Sequence, residues 1–306
     1  MSEAAVKAFV QWDVLKGTLL GPRLTDARTN DHKTPFDVEE LPEGSLSIAD
    51  LGFVAIERLC RIARCQKGKK SYVVSRLQAK TNLYSRRGHG IDLIGNLPQQ
   101  VGQVREMGVV LGHKNGLPVR LIMVKVPKEV VDERHERLRR TAQKHGRVPS
   151  EEALALAHWT IVLTNIACKR ADYSQIFVLL RLRWQIERLF RLWKEDGKID
   201  EWRTQKPYRI LCELYAKLCA MVLQQSLIQE GCWLDPLRSL VKAADSLRRE
   251  CNRIMVAFYE GNLEKTVQSI LRTLRSGCRI ERRTTYPSTA QLLLDGLDWQ
   301  VELVLT

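Results

Sequence analysis

Two acidic residues stand at positions where a folded chain could use them to bind a divalent cation. The first, Asp50, ends the short apolar segment 45–49 and precedes Leu51-Gly52-Phe53. A carboxylate at the end of a buried strand, before a glycine-containing turn, is where α/β proteins often place working residues. The same aspartate could instead cap the helix that we expect to follow it. The sequence leaves both interpretations open.

The second acid, Glu187, lies in the strongest helical pattern of the chain, predicted to span residues 173–196 and to end at Gly197. At about 100° per residue, one face of this helix is apolar and a basic stripe borders it. The apolar face comprises Leu182, Ile186, Leu189, Phe190 and Trp193, and the stripe around Glu187 comprises Arg183, Arg191, Lys194 and Lys198. The stripe is either a solvated face with intrahelical ion pairs, or a surface whose basic residues contact phosphates while Glu187 holds a cation.

The charge balance favours a polyanionic partner. The chain has 306 residues with 49 Lys and Arg against 35 Asp and Glu, a formal net charge of +14. Such an excess is typical of proteins that bind nucleic acid. A basic stretch over residues 134–147 either follows a DNA backbone or is a solvated face. The composition, 44% hydrophobic and 27% charged, excludes disordered and collagen-like classes.

The sequence contains no recognisable targeting signal and no cysteine motif that would bind a metal. No stretch approaches the ~18 apolar residues of a membrane span, and the first residues do not resemble a signal peptide. We therefore expect a cytoplasmic protein without membrane contact. The eight cysteines form no CxxC pair, so we assign no metal to them.

Along the sequence, the two acids lie before and after a predicted β-rich region. Residues 5–26 are predicted to form a hairpin, and residues 45–49 a strand that ends at Asp50. A β-rich meander is predicted from about residue 65 to 127, then a charged helical segment and another buried strand at residues 159–166. Beyond residue 173 the pattern is almost entirely helical.

Several segments together resemble the IS4-type DDE transposases. Arg183, Glu187 and Lys194 match the family signature Tyr-x2-Arg-x3-Glu-x6-Lys at the required spacing. Asp50-Leu-Gly-Phe resembles the segment that holds the family's second catalytic aspartate. Residues 10–31 are similar to the strands between its first and second aspartates, and Leu163-Thr-Asn165 and residues 207–218 resemble segments that flank the signature. The resemblance covers most of residues 5–230.

The resemblance implies an α/β fold: an RNase H-like mixed-sheet core interrupted by a β-rich insertion, with a helical C-terminal region. We expect residues 1–61 to form the first part of the core, without its first strand. Residues 62–160 would form the insertion with its charged helical segment, residues 161–230 the second part of the core with the Glu187 helix, and residues 231–306 the helical C-terminal region.

The resemblance also implies a function, the transposition of an insertion sequence by metal-dependent DNA strand cleavage and transfer. Asp50 and Glu187 would be catalytic ligands of Mg²⁺, with Mn²⁺ an acceptable substitute. Arg183, Arg191, Lys194 and Trp184 would contact DNA, with the tryptophan stacking on a base. The implied partners are the double-stranded ends of the insertion sequence, the target DNA, and a second copy of the chain in a homodimer on DNA.

Two departures from the family pattern qualify this expectation. The family's first aspartate belongs on a strand before residues 5–14, so we expect an N-terminally truncated member with weak metal binding and little cleavage. Asp13 is expected to belong to the hairpin rather than to replace that aspartate. Leu180 occupies the position of the signature tyrosine. The alternative function is therefore a catalytically inactive DNA-binding or regulatory transposase fragment.

Overall fold

The structure, a computed structural model, describes residues 6–38, 41–50, 55–63, 70–77, 81–112, 116–144, 146–285 and 287–295. These residues form two compact units. One contains residues 6–29 and 184–295, and the other contains residues 30–183. Each unit has hydrophobic clusters of its own.

The predicted N-terminal hairpin is present in the first unit. Strands β1 (Val6–Trp12) and β2 (Leu19–Asp26) pair in the antiparallel sense. Asp13 belongs to the turn between them, because its Oδ1 accepts hydrogen bonds from the backbone N–H groups of Leu15 at 3.0 Å and Lys16 at 2.9 Å. Such a bond from aspartate to the following backbone is a common way to stabilise a turn. As expected, Asp13 therefore serves the hairpin.

The rest of the first unit is helical. It contains α5 (Trp184–Glu195), α6 (Pro207–Cys232), α7 (Leu240–Tyr259), α8 (Leu263–Gly277) and α9 (Thr289–Asp295). Proline suits the first position of α6 because it has no N–H group to satisfy there. The Ser239 hydroxyl caps α7 by accepting the N–H of Lys242. Helices α5 to α8 share one hydrophobic cluster, to which Leu192, Ile228, Leu247, Ile270 and Leu274 contribute.

The expectation that no segment is long and apolar enough for a membrane span was wrong for α6. In the described part of the chain, this helix alone is long and apolar enough to cross a membrane by length and composition. Much of this helix is exposed, including Tyr208, Tyr215 and Leu223. Leu214 and Leu218 of α6 are buried in a cluster with residues of the hairpin, and Ile228 is buried in the cluster shared with α8.

The second unit is built on a mixed sheet of six strands. The strands are β3 (Leu46–Ala49), β4 (Tyr72–Arg76), β5 (Leu83–Tyr84), β6 (Val104–Leu111), β7 (Leu117–Lys125) and β8 (Trp159–Thr164). Their order across the sheet is β3-β4-β8-β7-β6-β5. The pair β3–β4 is parallel and the other pairs are antiparallel.

Helices cover both faces of this sheet. The second unit contains α1 (Ile56–Ala63), α2 (Lys128–Lys144), α3 (Glu151–Leu156) and α4 (Tyr173–Arg181). Apolar residues of α1 pack with Val73, Leu121 and Leu163, whereas apolar residues of α2 and α4 pack with alternate strand residues such as Val74 and Val162. Successive strand residues point to opposite faces, so the sheet is a buried middle layer.

The predicted fold class is therefore confirmed: a mixed α/β chain with a helical C-terminal region, consistent with an RNase H-like fold. Strands of the predicted insertion, β4 to β7, belong to the same sheet as β3 and β8. The division into four segments, with boundaries after residues 61, 160 and 230, stays a prediction. The two compact units have their boundaries after residues 29 and 183.

The single helix predicted over residues 173–196 was wrong. Helix α4 ends at Arg181 and α5 begins at Trp184, and Leu182 and Arg183 form a turn between them. Their backbone N–H groups donate to carbonyls three residues back, the tighter pattern found at helix ends. The apolar residues of α4 are buried in a cluster with the sheet, and those of α5 are buried in the clusters of the first unit. On one continuous helix these two sets would point to roughly opposite sides.

Candidate metal and DNA site

Asp50 follows the last residue of β3, at the carboxyl end of the strand. In the parallel β3–β4 pair, Ala49 is opposite Ser75, whose side chain is fully buried. The Ser75 hydroxyl donates a hydrogen bond of 3.1 Å to the carbonyl oxygen of Ala49. A buried hydroxyl needs such a partner, and here the bond fixes the peptide group that immediately precedes Asp50.

The strand β4 is held on its other side by Asn165, which follows β8. Asn165 Oδ1 accepts the N–H of Val73 at 2.8 Å, and Asn165 Nδ2 donates to the carbonyl of Ser71 at 3.0 Å. The side-chain amide thus continues the β4–β8 ladder beyond the end of β8. Through Ser75 and Asn165, the segment that carries Asp50 is anchored to the interior of the sheet.

Sequence reasoning missed the roles of Ser75 and Asn165. A usable signal was present for each: Ser75 is a hydroxyl inside an apolar strand, and Asn165 is an amide directly after one. Buried polar side chains require hydrogen bonds, so both were candidates for strand-to-strand contacts. Their partners lie 26 and 92 residues away in the chain, and such pairings follow only from the order of strands in the sheet.

The Asp50 carboxylate forms an ion pair with Arg183. The distance between Arg183 Nη1 and Asp50 Oδ2 is 3.0 Å. The arginine side chain is only 9% exposed, whereas the aspartate side chain is 50% exposed. Both residues belong to the unit that contains residues 30–183. Helix α1 begins at Ile56, six residues after Asp50. Residues Leu51-Gly52-Phe53 lie outside the described part.

The remaining candidate residues lie on α5, in the other compact unit. Glu187 is in the first turn of this helix and is half-buried. Arg191 and Lys194 are exposed, and Trp184 is 44% exposed, as expected for residues on the wet side of the helix. The opposite side of α5 is buried through Leu189 and Trp193. An approach of Asp50 and Glu187 to one another stays a prediction.

The chemistry of the donors fits a hard divalent cation. Carboxylate oxygens are the preferred ligands of such ions, and Asp50 offers a half-exposed carboxylate at the end of β3. Among the residues with assigned positions, no three His, Cys, Asp or Glu side chains gather as a metal cluster. Burial raises the pKa of the Cys232 thiol to about 11, which disfavours a thiolate ligand there.

The basic stretch of α2 divides into a buried and an exposed part. Arg134 donates from Nη1 to the carbonyls of Ala157 and Trp159, and from Nη2 to Thr160 Oγ1 at 2.7 Å. Burial, together with the nearby charges of Arg76 and Arg137, lowers the pKa of Arg134 to about 10. Arg134 therefore fastens α2 to β8. The exposed basic residues that follow it include Arg137, Arg139, Arg140, Lys144 and Arg147.

Comparison with known proteins defines the class to which this fold and these residues belong. Residues 2–223 match the family model described as the transposase DDE domain. The chain therefore belongs to the transposase DDE-domain family. Transposase DDE domains in general depend on divalent cations.

The relatives are transposases of bacterial insertion sequences. The chain is 28% identical over 242 residues to the transposase of IS231F from Bacillus thuringiensis subsp. israelensis, covering 73% of this chain and 50% of the relative. It is 24% identical over 246 residues to the transposase of IS1151 from Clostridium perfringens, covering 74% and 51%. It is 27% identical over 213 residues to the putative transposase InsL of IS186A from Escherichia coli K12, covering 67% and 56%. The chain thus spans about half the length of the curated relatives it matches.

Proposed function

We propose that the chain is the catalytic domain of an insertion-sequence transposase, which binds double-stranded DNA ends and cleaves and transfers DNA strands. The observation that carries this proposal is the match of residues 2–223 to the transposase DDE domain. The position of Asp50, a half-exposed carboxylate at the carboxyl end of β3, supports a metal-binding role for it.

In this proposal Asp50 and Glu187 hold Mg²⁺, for which Mn²⁺ can substitute. When bound, such ions activate a water or 3′-hydroxyl for attack and stabilise the leaving oxygen. The contribution of the chain is to present carboxylates in fixed positions. Ser75 and Asn165 fix the backbone before Asp50, and the hydrophobic cluster around Leu189 and Trp193 fixes α5, which carries Glu187.

The proposed DNA contacts come from Arg183, in the turn before α5, and from the exposed side of α5. Arg191 and Lys194 offer charges to phosphates, and the Trp184 ring is exposed enough to stack on a base. The net charge of +14 supplies a sequence-independent attraction to the duplex. The proposed substrates are the ends of the insertion sequence and a target duplex, bound by a homodimer.

A nicking assay tests this function. A labelled duplex that ends in the element's terminal inverted repeat is incubated with the protein in Mg²⁺, Mn²⁺ or EDTA. We expect weak cleavage, and only with a cation. Asp50→Asn and Glu187→Gln should each abolish the cleavage that remains. Glu195→Gln, on the same helix as Glu187 but exposed, is the matched control and should retain the wild-type rate.

A second candidate function is a catalytically inactive DNA-binding or regulatory fragment. The net charge of +14, which gives affinity for DNA without any chemistry, supports this candidate. The same assay separates the two functions. Retardation of the duplex in a gel, without cleavage in either Mg²⁺ or Mn²⁺, would favour the fragment. Cation-dependent cleavage that requires Asp50 would favour the enzyme.

A further inference from the structure

We infer that the second half of α2 carries a further DNA-contacting surface, which binds the phosphates of duplex DNA independently of base sequence. Five exposed basic residues form this α2 basic surface: Arg137, Arg139, Arg140, Lys144 and Arg147. They belong to the second compact unit, whereas the contacts proposed on α5 belong to the first. The inference rests on the proposed function, which supplies DNA as the partner.

The charges of α2 are segregated along the helix. All its acidic residues lie before residue 137, and no Asp or Glu occurs from residue 137 to 150. Arg140 forms an exposed ion pair with Glu136 at 2.8 Å. Within the described ranges, no ion pair is formed by the other four residues of the surface, Arg137, Arg139, Lys144 and Arg147. A solvated face with intrahelical ion pairs intersperses the two signs of charge, and the second half of α2 does not have that pattern.

Three residues of the surface share one side of the helix. At about 100° per residue, Arg137, Arg140 and Lys144 fall within an arc of about 60°. They follow one another at spacings of three and four residues, at which like charges destabilise a helix. Basic residues do complement the helix dipole, but only within the last turn, which begins at Thr141. Helix stability alone therefore does not account for the basic residues before that turn.

The backbone beneath the α2 basic surface is held in place at two points. Arg134 fastens the middle of α2 to β8 through its hydrogen bonds. At the end of the helix, the N–H of Gly146 donates to the carbonyl of Gln143 at 3.0 Å, and the N–H of Arg147 donates to the carbonyl of Ala142 at 2.9 Å. With the positive φ of 62° at Gly146, these bonds form a Schellman motif. A fixed backbone lowers the entropic cost of binding a partner.

The chemistry of the surface favours the backbone of duplex DNA. Four of its five residues are arginines, whose planar guanidinium groups match phosphate oxygens. A helix that binds a membrane surface needs a free apolar face, whereas Val130 and Val131 of α2 pack with the sheet. Residues 128–150 contain no Phe, Tyr or Trp, the side chains on which unpaired bases stack in proteins that bind single strands.

The test measures binding of the full chain to two labelled duplexes of equal length by fluorescence anisotropy, in EDTA and at several salt concentrations. One duplex ends in the element's terminal inverted repeat, and the other has an unrelated sequence. The double variant Arg137→Gln/Lys144→Gln should lower the slope of log affinity against log salt by about two, because each phosphate contact contributes about 0.9. The loss should be the same for both duplexes, since phosphate contacts carry no sequence information.

The matched control is Lys128→Gln/Lys265→Gln, which also removes two exposed positive charges. Lys128 precedes Glu129 in the acidic half of α2, and Lys265 follows Glu264 on α8, so neither belongs to the α2 basic surface. This variant should leave the slope unchanged. Thermal unfolding verifies that each variant is folded. Should the double variant not fold, the single variants Arg137→Gln and Lys144→Gln carry the comparison, each with a slope lower by about one.

The outcomes distinguish the inference from the function on which it rests. If the wild-type chain binds both duplexes and the double variant keeps the wild-type slope, the α2 basic surface does not contact DNA and the proposed function survives. A loss confined to the duplex with the terminal repeat would also overturn the inference, because the surface would then read base sequence. If the wild-type chain binds neither duplex, the proposed function is wrong and the inference falls with it.

Discussion

The side-chain amide of Asn165 pairs with the backbone at Val73 in the way that the backbone of a neighbouring strand would. Asn165 Oδ1 accepts the Val73 N–H at 2.8 Å, and Asn165 Nδ2 donates to the carbonyl of Ser71 at 3.0 Å. This amide holds the beginning of β4. Among the described strands, β4 is the one that pairs with β3, so the position of Asp50 depends on it.

Asn165→Asp is expected to destabilise the fold, because aspartate has the same shape but cannot donate to the Ser71 carbonyl. The lost bond and the poorly solvated carboxylate should lower the free energy of unfolding by about 1–3 kcal/mol. Urea denaturation measures this change. Asn252→Asp introduces the same charge on the exposed side of α7 and should change stability by no more than about 0.5 kcal/mol. Equal effects of the two substitutions would contradict the assigned role.

Asp50 and Glu187 are expected to share a cation, and their substitutions should then be strongly non-additive. If one ion is bound by both carboxylates, Asp50→Asn removes most of the Mn²⁺ affinity. Adding Glu187→Gln should then weaken it by less than about twofold. Calorimetric titration of the two single variants and the double variant checks this. Losses that multiply would mean that the carboxylates serve separate ions. The pair Asp50→Asn and Glu195→Gln provides the control for a general change of charge.

Gly17→Ala is expected to destabilise the hairpin through contact with Trp233. A Cβ atom at Gly17 would lie 2.5 Å from the Trp233 ring, and the residue has a positive φ of 77°. Overpacking and backbone strain together should cost about 2–4 kcal/mol of unfolding free energy.

Gly261→Ala separates the two causes of that loss. Gly261 has a similar φ of 72°, but nothing lies within 4 Å of a Cβ placed there. The Gly261 variant therefore measures strain alone, and thermal or urea unfolding of both variants gives the cost of the clash by difference. A loss at Gly17 no larger than that at Gly261 would show that the hairpin does not pack on Trp233 as described.

His158 is expected to make the protein less stable as the pH falls through the range just below 6.5. Burial, His135 and Lys125 lower the pKa of His158 below its usual value, and Asp132 opposes them. The unfolded chain therefore takes up the proton at a higher pH than the folded chain does. The stability that His158 contributes is full above the unfolded pKa of about 6.5 and is lost as the pH falls from there through the lowered pKa of the folded chain. His158→Gln should flatten this decline in urea unfolding between pH 8 and 5, whereas His89→Gln, an exposed control, should not. A decline of unchanged steepness in the His158 variant would contradict the prediction.

Local signals were sufficient to predict the elements that depend on local interactions. The hairpin followed from two apolar runs and a Lys16-Gly17 turn, and the strand before Asp50 from a short apolar run that ends in an acid. The buried face of α5 followed from helical periodicity, and Leu189 and Trp193 are indeed buried.

Non-local interactions explain what the sequence could not predict. The turn at Leu182–Arg183 contains neither Gly nor Pro, so nothing in the local pattern marked it. It arises because the residues before and after it are buried in different hydrophobic clusters. The ion pair between Arg183 and Asp50 joins residues 133 positions apart, and it depends on where α4 ends relative to the end of β3. The resemblance to a family supplied candidates for the site but not these contacts.

The position of β3 at the edge of its sheet has a consequence for how the site can be observed. In the part of the chain with assigned structure, this four-residue strand pairs with β4 on one side only. Short edge strands open more readily than central ones, so the amide protons of residues 46–49 should exchange with solvent faster than those of β8. A ligand that immobilises Asp50 would suppress this local opening. Hydrogen–deuterium exchange of a single short peptide could therefore report on occupancy at Asp50 without any catalytic turnover.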